Sequence, residues 1–478
     1  MIFAKHLAQW SIPTFMETVT KAIVMALAAY VLPKTDFGIL ILAALIYSFH
    51  PYLQLGVVDG LMIKLPGYYV QRRIEKIRSS LGLSLSYVLT VIITALLSGV
   101  FLSVVIGQYD KTLFICAIYF LTAIPYQIYN HYLLLNRYTY NLQATFKARS
   151  FNAGLRLFFQ VPLIYYFGIY GLVIGEVLIF SFSASLLLRY SKITVNLNLN
   201  LKTLKAYLIF GFPVWIVSLI GMFSMTLERS ISAYYFNLKV VADVGLLAFF
   251  GSLFLLPSGQ ILSLFSQYAR EFLVKEKNVE ALTGAYLIFS LICLFLYVIF
   301  ASLFYGITAY FVIPKYLIEY LNIVKFFPIV YTIFLVRILL SILSNLLLIS
   351  GDRKNLFIGY LIFFIFTILA SLTYYKYSEF TLNTLLFCIV LGGSLQLLFL
   401  LVIWTFRTKY WVLSAWLFFS MLINCFFSIY FLLMELSSWL FLGCGNLLMI
   451  TIIMLPFIRS KHSYDGLNSF RIILQKSF

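Results

Sequence analysis

The sequence predicts an all-α polytopic membrane protein of about fourteen transmembrane helices, two parallel six-helix lobes plus two C-terminal helices. Three observations carry this. Of 478 residues, 63% are hydrophobic and 10% are charged, against about 25% charged in soluble domains. The apolar residues fall in solid runs, among them Ile39 to Phe49, Leu81 to Gly107 and Leu356 to Thr373. About 20 such residues span a bilayer as helix, whereas a β-barrel would show alternation in segments of about 10. The Lys and Arg residues sit in short clusters between the runs, which is how a membrane protein sets its orientation. The net charge of +18 therefore points to topology and not to nucleic acid.

In chain order the predicted helices cover residues 8–32, 38–58, 81–107, 112–134, 151–168, 170–188 and 207–235. The remainder cover 244–265, 281–306, 321–349, 356–373, 383–405, 411–433 and 436–458. The first resembles a cleavable signal, with Lys5, an apolar stretch and Ala26-Leu27-Ala28. Glu17 and Lys21 break its apolar centre, so it reads as a retained helix. The loops are short. The domain organisation is a six-helix lobe over 1–190, a second over 191–405, two more helices over 406–458 and a tail over 459–478.

Sorting the Lys and Arg residues by side puts 24 on one face, from Lys5 and the Lys64, Arg72, Arg73, Lys76, Arg78 cluster to Lys476. The other face receives five: Lys34, Lys111, Lys239, Lys315 and Lys376. The rich side is cytoplasmic by the positive-inside rule, with both termini inside. An internal repeat agrees. Asp36-Phe37-Gly38-Ile39-Leu40 matches Asp243-Val244-Gly245-Leu246-Leu247, and Pro51 and Pro257 follow at nearly the same offset. Ile12-Pro13 and Phe212-Pro213 open the preceding helices, which both start inside. Parallel repeats of this kind are a transporter signature, with the substrate site between them.

Eight ionisable groups lie within predicted helices: Glu17, Lys21, Arg156, Glu176, Glu228, Arg229, Lys325 and Arg337. Facing lipid, they would together cost roughly 20–28 kcal/mol on the insertion scale. They must face each other or a wet cavity; Lys325, near a helix end, can snorkel. Thr14, Glu17, Thr18 and Lys21 share one face of the first helix. Arg149, Asn152, Arg156 and Gln160 form a polar stripe on the fifth, and Arg337, Ser341 and Asn345 another on the tenth. His50 and Gln54 are four apart on the second, with Asp59 near its inner end. Glu17–Lys21 and Glu228–Arg229 either line a cavity or simply neutralise one another. Arg156 and Arg337 have no acid on the same turn. They read as binding cations for an anion, or as ties to backbone carbonyls. Five basic against three acidic groups make the cavity positive.

Tyr126-Gln127-Ile128-Tyr129-Asn130-His131-Tyr132 interleaves amides and an imidazole with tyrosines, which suits sugars or an inner membrane interface. Leu61 to Arg73 reads as an interfacial segment for lipid phosphates, or as a topology anchor. Cys116, Cys293, Cys388, Cys425 and Cys444 lie in apolar runs as packing residues, and the four histidines have no metal-ligand spacing. No catalytic motif stands out, so no catalytic residue, metal or cofactor is expected.

These features together resemble the Wzx-type O-antigen and polysaccharide flippases of the multidrug/oligosaccharidyl-lipid/polysaccharide (MOP) superfamily. The resemblance covers nearly the whole chain. It rests on the Pro-bearing first helix, Asp36-Phe37-Gly38, Leu55-Gly56-Val57-Val58-Asp59-Gly60, Glu228-Arg229 and Asp243-Val244-Gly245. Members commonly carry Asp-Arg where this chain has Glu228-Arg229. The resemblance implies a two-lobed, alternating-access cavity in a bacterial inner membrane. Its cargo would be undecaprenyl-diphosphate-linked oligosaccharide, moved from the cytoplasmic to the periplasmic leaflet. Membrane lipids and the polysaccharide polymerase machinery are the implied partners. The expected substrate-binding residues are Arg156, Arg337, Arg229, Lys21, Gln160 and Asn345, and the structural or coupling carboxylates are Glu17, Glu176, Glu228 and Asp59. Two other classes stay open. An ion-coupled multidrug extruder of the same superfamily needs an acidic cavity. A membrane polymerase or ligase usually carries a large periplasmic loop, and the longest outside loop here, around Phe311 to Tyr320, is short.

Overall fold

The computed structural model describes residues 2–106, 111–139, 141–191, 195, 197–255, 262, 265–266, 269, 279–377 and 380–407. Every regular element among them is helical. Among the described residues, ten helices are long and apolar enough to cross a membrane. The predicted helices at 411–433 and 436–458 lie outside the described residues, as does part of the one at 244–265.

The chain opens with α1 (Ile2–Val31), which carries Pro13 inside it, and α2 (Lys34–Tyr47). Pro33, between them, lacks the N–H that would continue α1. The sequence predicts one helix over 38–58, but the structure breaks it. A 3-10 turn, His50–Gln54, holds Pro51 in its first turn, and Leu55 (φ 52°) and Gly56 (φ 92°) are both left-handed. The chain restarts as α3 (Val57–Val70), so most of the expected interfacial segment is a helix of its own. A methyl group at Gly211 would overlap the carbonyl of Gly56, and one at Gly60 would overlap that of Tyr207. Glycine at these positions lets α3 and the later helix touch backbone to backbone.

Next come α4 (Ile74–Ile106), α5 (Lys111–Leu121) and α6 (Ala123–Tyr138). The last two divide at Thr122, where Pro125 lacks the N–H that would donate to the Leu121 carbonyl. α7 (Leu142–Leu155) leads through a π-helical turn, Arg156–Gln160, into α8 (Val161–Tyr190). The wider turn stands just before Pro162, whose ring would crowd the Phe158 carbonyl in an α-helix. The same pattern recurs at Thr308–Val312, just before Pro314. Residues 142–190 form one helical stretch of 49 residues with a long apolar part. Gly168, at φ 58° and ψ −134°, turns the chain inside it. The predicted boundary between helices at 168 and 170 falls on this turn. α9 (Leu201–Tyr235) starts at Asn200, whose Oδ1 accepts the Thr203 N–H at 3.2 Å. α10 (Leu238–Phe254) follows.

After these come α11 (Val279–Ile307), α12 (Ile313–Tyr316) and a 3-10 segment, Ile318–Phe326. The chain continues with α13 (Phe327–Ile349), α14 (Arg353–Tyr377) and α15 (Leu382–Arg407). Lys325 is exposed in the 3-10 segment, so the tenth predicted helix begins at Phe327 and not at residue 321.

The chain divides into two compact units, residues 1–222 with 229–246, and residues 223–228 with 247–478. In the first, α1 packs on α7, α2 on α5, and α6 on α4 and α8. Its core joins Val57, Leu61, Leu81, Tyr129, Tyr132 and Tyr207. The repeated segments meet here. A methyl at Gly38 would overlap Leu238, one at Gly245 would overlap Ile41, and Lys34 pairs with Asp243 at 2.7 Å. In the second unit α13 is the central helix, with 78% of its apolar window buried against α11, α14 and α15.

Candidate functional site

The first unit holds a charged cluster built by α1, α7, the π turn and α8. Arg156 and Gln160 open and close the π turn, and both are buried. Arg156 donates through both terminal nitrogens to the two carboxylate oxygens of Glu176, at 2.9 Å for Nη2–Oε2. Its Nε donates to Asn152 Oδ1 at 3.1 Å and its Nη1 to Gln160 Oε1 at 3.1 Å. Gln160 Nε2 in turn donates to Glu176 Oε1 and to the Leu172 carbonyl, both at 3.2 Å. Asn152 Nδ2 reaches Ser183 Oγ at 3.0 Å. The guanidinium also lies 5.4 Å from the Phe180 ring centroid. This is a closed network in which the buried Arg and acid satisfy each other.

Beside it, Arg149 lies 3.9 Å from Glu17. Lys21, one helical turn beyond Glu17 on α1, lies at the surface of this cluster, and Glu176, Arg156 and Glu17 all act on it electrostatically. The cluster has three cations, Lys21, Arg149 and Arg156, against two carboxylates, Glu17 and Glu176. Aromatic rings adjoin it. Tyr47 packs edge-on to Tyr119 at 5.0 Å, and Tyr126 edge-on to both His50 (5.3 Å) and Phe180 (5.1 Å).

Among the described residues, the second unit also holds a buried ion pair. Arg337 Nη2 donates to Glu228 Oε2 at 2.8 Å and to the Met225 carbonyl at 3.3 Å. The Phe334 ring centroid lies 4.8 Å from the guanidinium. Below it Ser341 Oγ donates to the Arg337 carbonyl and Asn345 Nδ2 to the Ser341 carbonyl, both at 2.8 Å.

Three expectations change. Arg156 and Arg337 have no acid on the same turn, but they pair with acids 20 and 109 residues away. Glu228 pairs with Arg337, a residue of another helix. Glu17 pairs with Arg149 more closely than with Lys21. Asp59 stands in the first turn of α3, where the helix dipole favours an acid. In the Tyr126 to Tyr132 stretch, His131 is sealed between Ser84 Oγ (3.1 Å) and the Gln127 carbonyl (2.9 Å), and Tyr129 and Tyr132 are core residues. That stretch is therefore mostly packing. The sequence reading missed Ser183, Tyr47 and Tyr119, which carry no charge to single them out. Among the described residues no group of three or more metal-ligating side chains occurs.

Known structures share this fold. An inward-facing multidrug resistance MATE family transporter of the MOP superfamily aligns at TM-score 0.61 and 16% identity, over 80% of this chain and 93% of that one. The outward-facing form aligns at 0.61 and 15%, over 83% and 94%. A MATE protein in complex with MaL6 aligns at 0.63 and 16%, over 83% and 94%. No family model and no curated protein sequence matches the chain. The protein is thus a multi-pass, all-helical membrane protein with the fold of MATE transporters.

Proposed function

We propose that this protein is an alternating-access flippase. It moves a diphosphate-linked oligosaccharide lipid from the cytoplasmic to the outer leaflet of a bacterial inner membrane. The observation that carries this is the charge balance around Lys21, whose ammonium is backed by Arg149 and Arg156, with only Glu17 and Glu176 to offset them. A positive site in the membrane-spanning part of a transporter suits an anion. An inside-negative potential drives each exported negative charge by roughly 2.3 kcal/mol per 100 mV. Fold neighbours captured facing inward and outward support the alternating-access part of the reading. In this reading the lobes are the two six-helix repeats, both termini are cytoplasmic, and the polymerase machinery receives the exported unit.

The sealed pair changes which residues do the binding. Arg156 and Gln160 hold Glu176 and the helix hairpin, and set the field. Lys21 meets the phosphate, and Arg229 contributes from α9. Complementation of a strain that needs this protein for surface polysaccharide tests the assignment. Lys21→Arg is expected to restore export and Lys21→Gln to lose most of it, at equal abundance in the membrane. Wild-type export by Lys21→Gln would remove the binding role.

The neighbours' description as multidrug transporters supports a second reading, extrusion of organic cations. The same deletion strain separates the two. Intact surface polysaccharide with raised sensitivity to cationic dyes would replace the flippase with an extruder.

A further inference from the structure

The second unit holds a cavity of about 30 Å³ with Arg337 in its wall, and nothing in the proposed transport uses it. Ser224, Arg337, Tyr360 and Gln396 bring polar groups to its wall; the rest, including Phe363 and Val390, is apolar. Gln396 is 1% exposed and its amide nitrogen has no hydrogen-bond partner among the described residues. A buried donor of this kind demands an acceptor. Arg337 is half used: both of its hydrogen bonds run through Nη2, so its other nitrogens remain as donors.

We propose that this cavity binds a small monovalent anion of chloride's size. The chemistry of the wall selects it. The free N–H groups of the wall offer a cation nothing to bind. The space exceeds the roughly 10–15 Å³ that one water needs. The unmatched groups on this wall are donors. The Tyr360 hydroxyl is already engaged with Ser344 Oγ at 3.2 Å, and Ser224 makes an interaction of its own. A halide only accepts. It would take the Gln396 N–H and the spare Arg337 N–H groups, and the apolar remainder suits a weakly hydrated ion. Bound there, it would brace α13, α14 and α15 on residues 223–228 of α9.

The purified full-length protein in detergent tests this. Its unfolding temperature, measured in sodium chloride and in sodium gluconate at matched ionic strength, is expected to be several degrees higher in chloride, with a saturable dependence. Gln396→Leu removes the donor, fills apolar space and should abolish the difference. Crystals grown in bromide should show an anomalous peak between Gln396 and Arg337. Equal unfolding temperatures of the wild type in the two salts would overturn the site, leaving a cavity for water only. A full chloride effect in Gln396→Leu would place the halide elsewhere and overturn it equally. If Gln396→Leu fails to fold, the bromide peak in the wild type decides.

Discussion

Arg156 is 1% exposed, and both of its terminal nitrogens engage the carboxylate of Glu176. Removing one partner of such a pair leaves a buried charge alone, which costs about 3–5 kcal/mol. Glu176→Ala is therefore expected to lower unfolding stability in detergent by about that amount. The double change Arg156→Met with Glu176→Leu should recover much of it, because matched apolar groups replace a buried pair at little cost. Additive losses in the double variant would show that the two residues are not coupled. The sequence marked both residues, since a charge in an apolar run has to be answered somewhere. Which charge answers which was not legible. Arg156 and Glu176 meet only because the chain turns at Gly168, and Arg337 meets Glu228 only through the packing of α13 beside residues 223–228. Same-turn spacing says nothing about partners contributed by another helix.

Helices were legible as apolar runs, and their breaks much less so. Leu55 and Gly56 end one predicted span early, and the division at Thr122 cuts another, while the runs themselves stay apolar across both points. Hydropathy averages over about 19 residues and cannot register one left-handed residue. The glycines make the element scale testable. A Cβ at Gly211 would strike the Gly56 carbonyl, whereas at Gly154 it meets nothing within 4 Å. Gly211→Ala should force α9 off α3 and cost about 1–3 kcal/mol. Gly154→Ala, inside α7, should raise stability by roughly 0.5–1 kcal/mol through helix propensity. Thermal unfolding of the two variants side by side checks the contrast. Equal effects would mean that α3 and α9 do not approach as closely as drawn.

At the scale of the molecule, two ion pairs fix which helix ends share a side. Lys34 pairs with Asp243 at 2.7 Å, and Lys111 with Asp36 at 2.8 Å. The starts of α2, α5 and α10 therefore lie together, and an even number of crossings must separate each from the next. Between Lys34 and Lys111 stand the apolar spans Lys34–Gln54 and Ile74–Gly99. Between Lys111 and Asp243 stand Lys111–Arg137, the 49-residue run Leu142–Tyr190 and Leu201–Tyr235. That count is even only if the long run crosses twice, and at about 1.5 Å per residue it is more than twice the thickness of a bilayer. Gly168 supplies the turn, flanked by the exposed Tyr165, Tyr166 and Phe167, as befits an aromatic belt. The ion pairs say which ends match; by the positive-inside rule the excess of Lys and Arg at the opposite ends makes the shared side the expected outer one. Alkaline phosphatase fused after Lys34, Lys111, Gly168 or Asn237 is accordingly expected to be active, and after Arg73, Ser191 or Phe478 inactive. The fusion after Gly168 is the sharpest of these. Inactivity there, with activity after Lys111 and Asn237, would mean that residues 142–190 do not turn at the outer surface, and the Arg156–Glu176 hairpin would need a different place in the membrane.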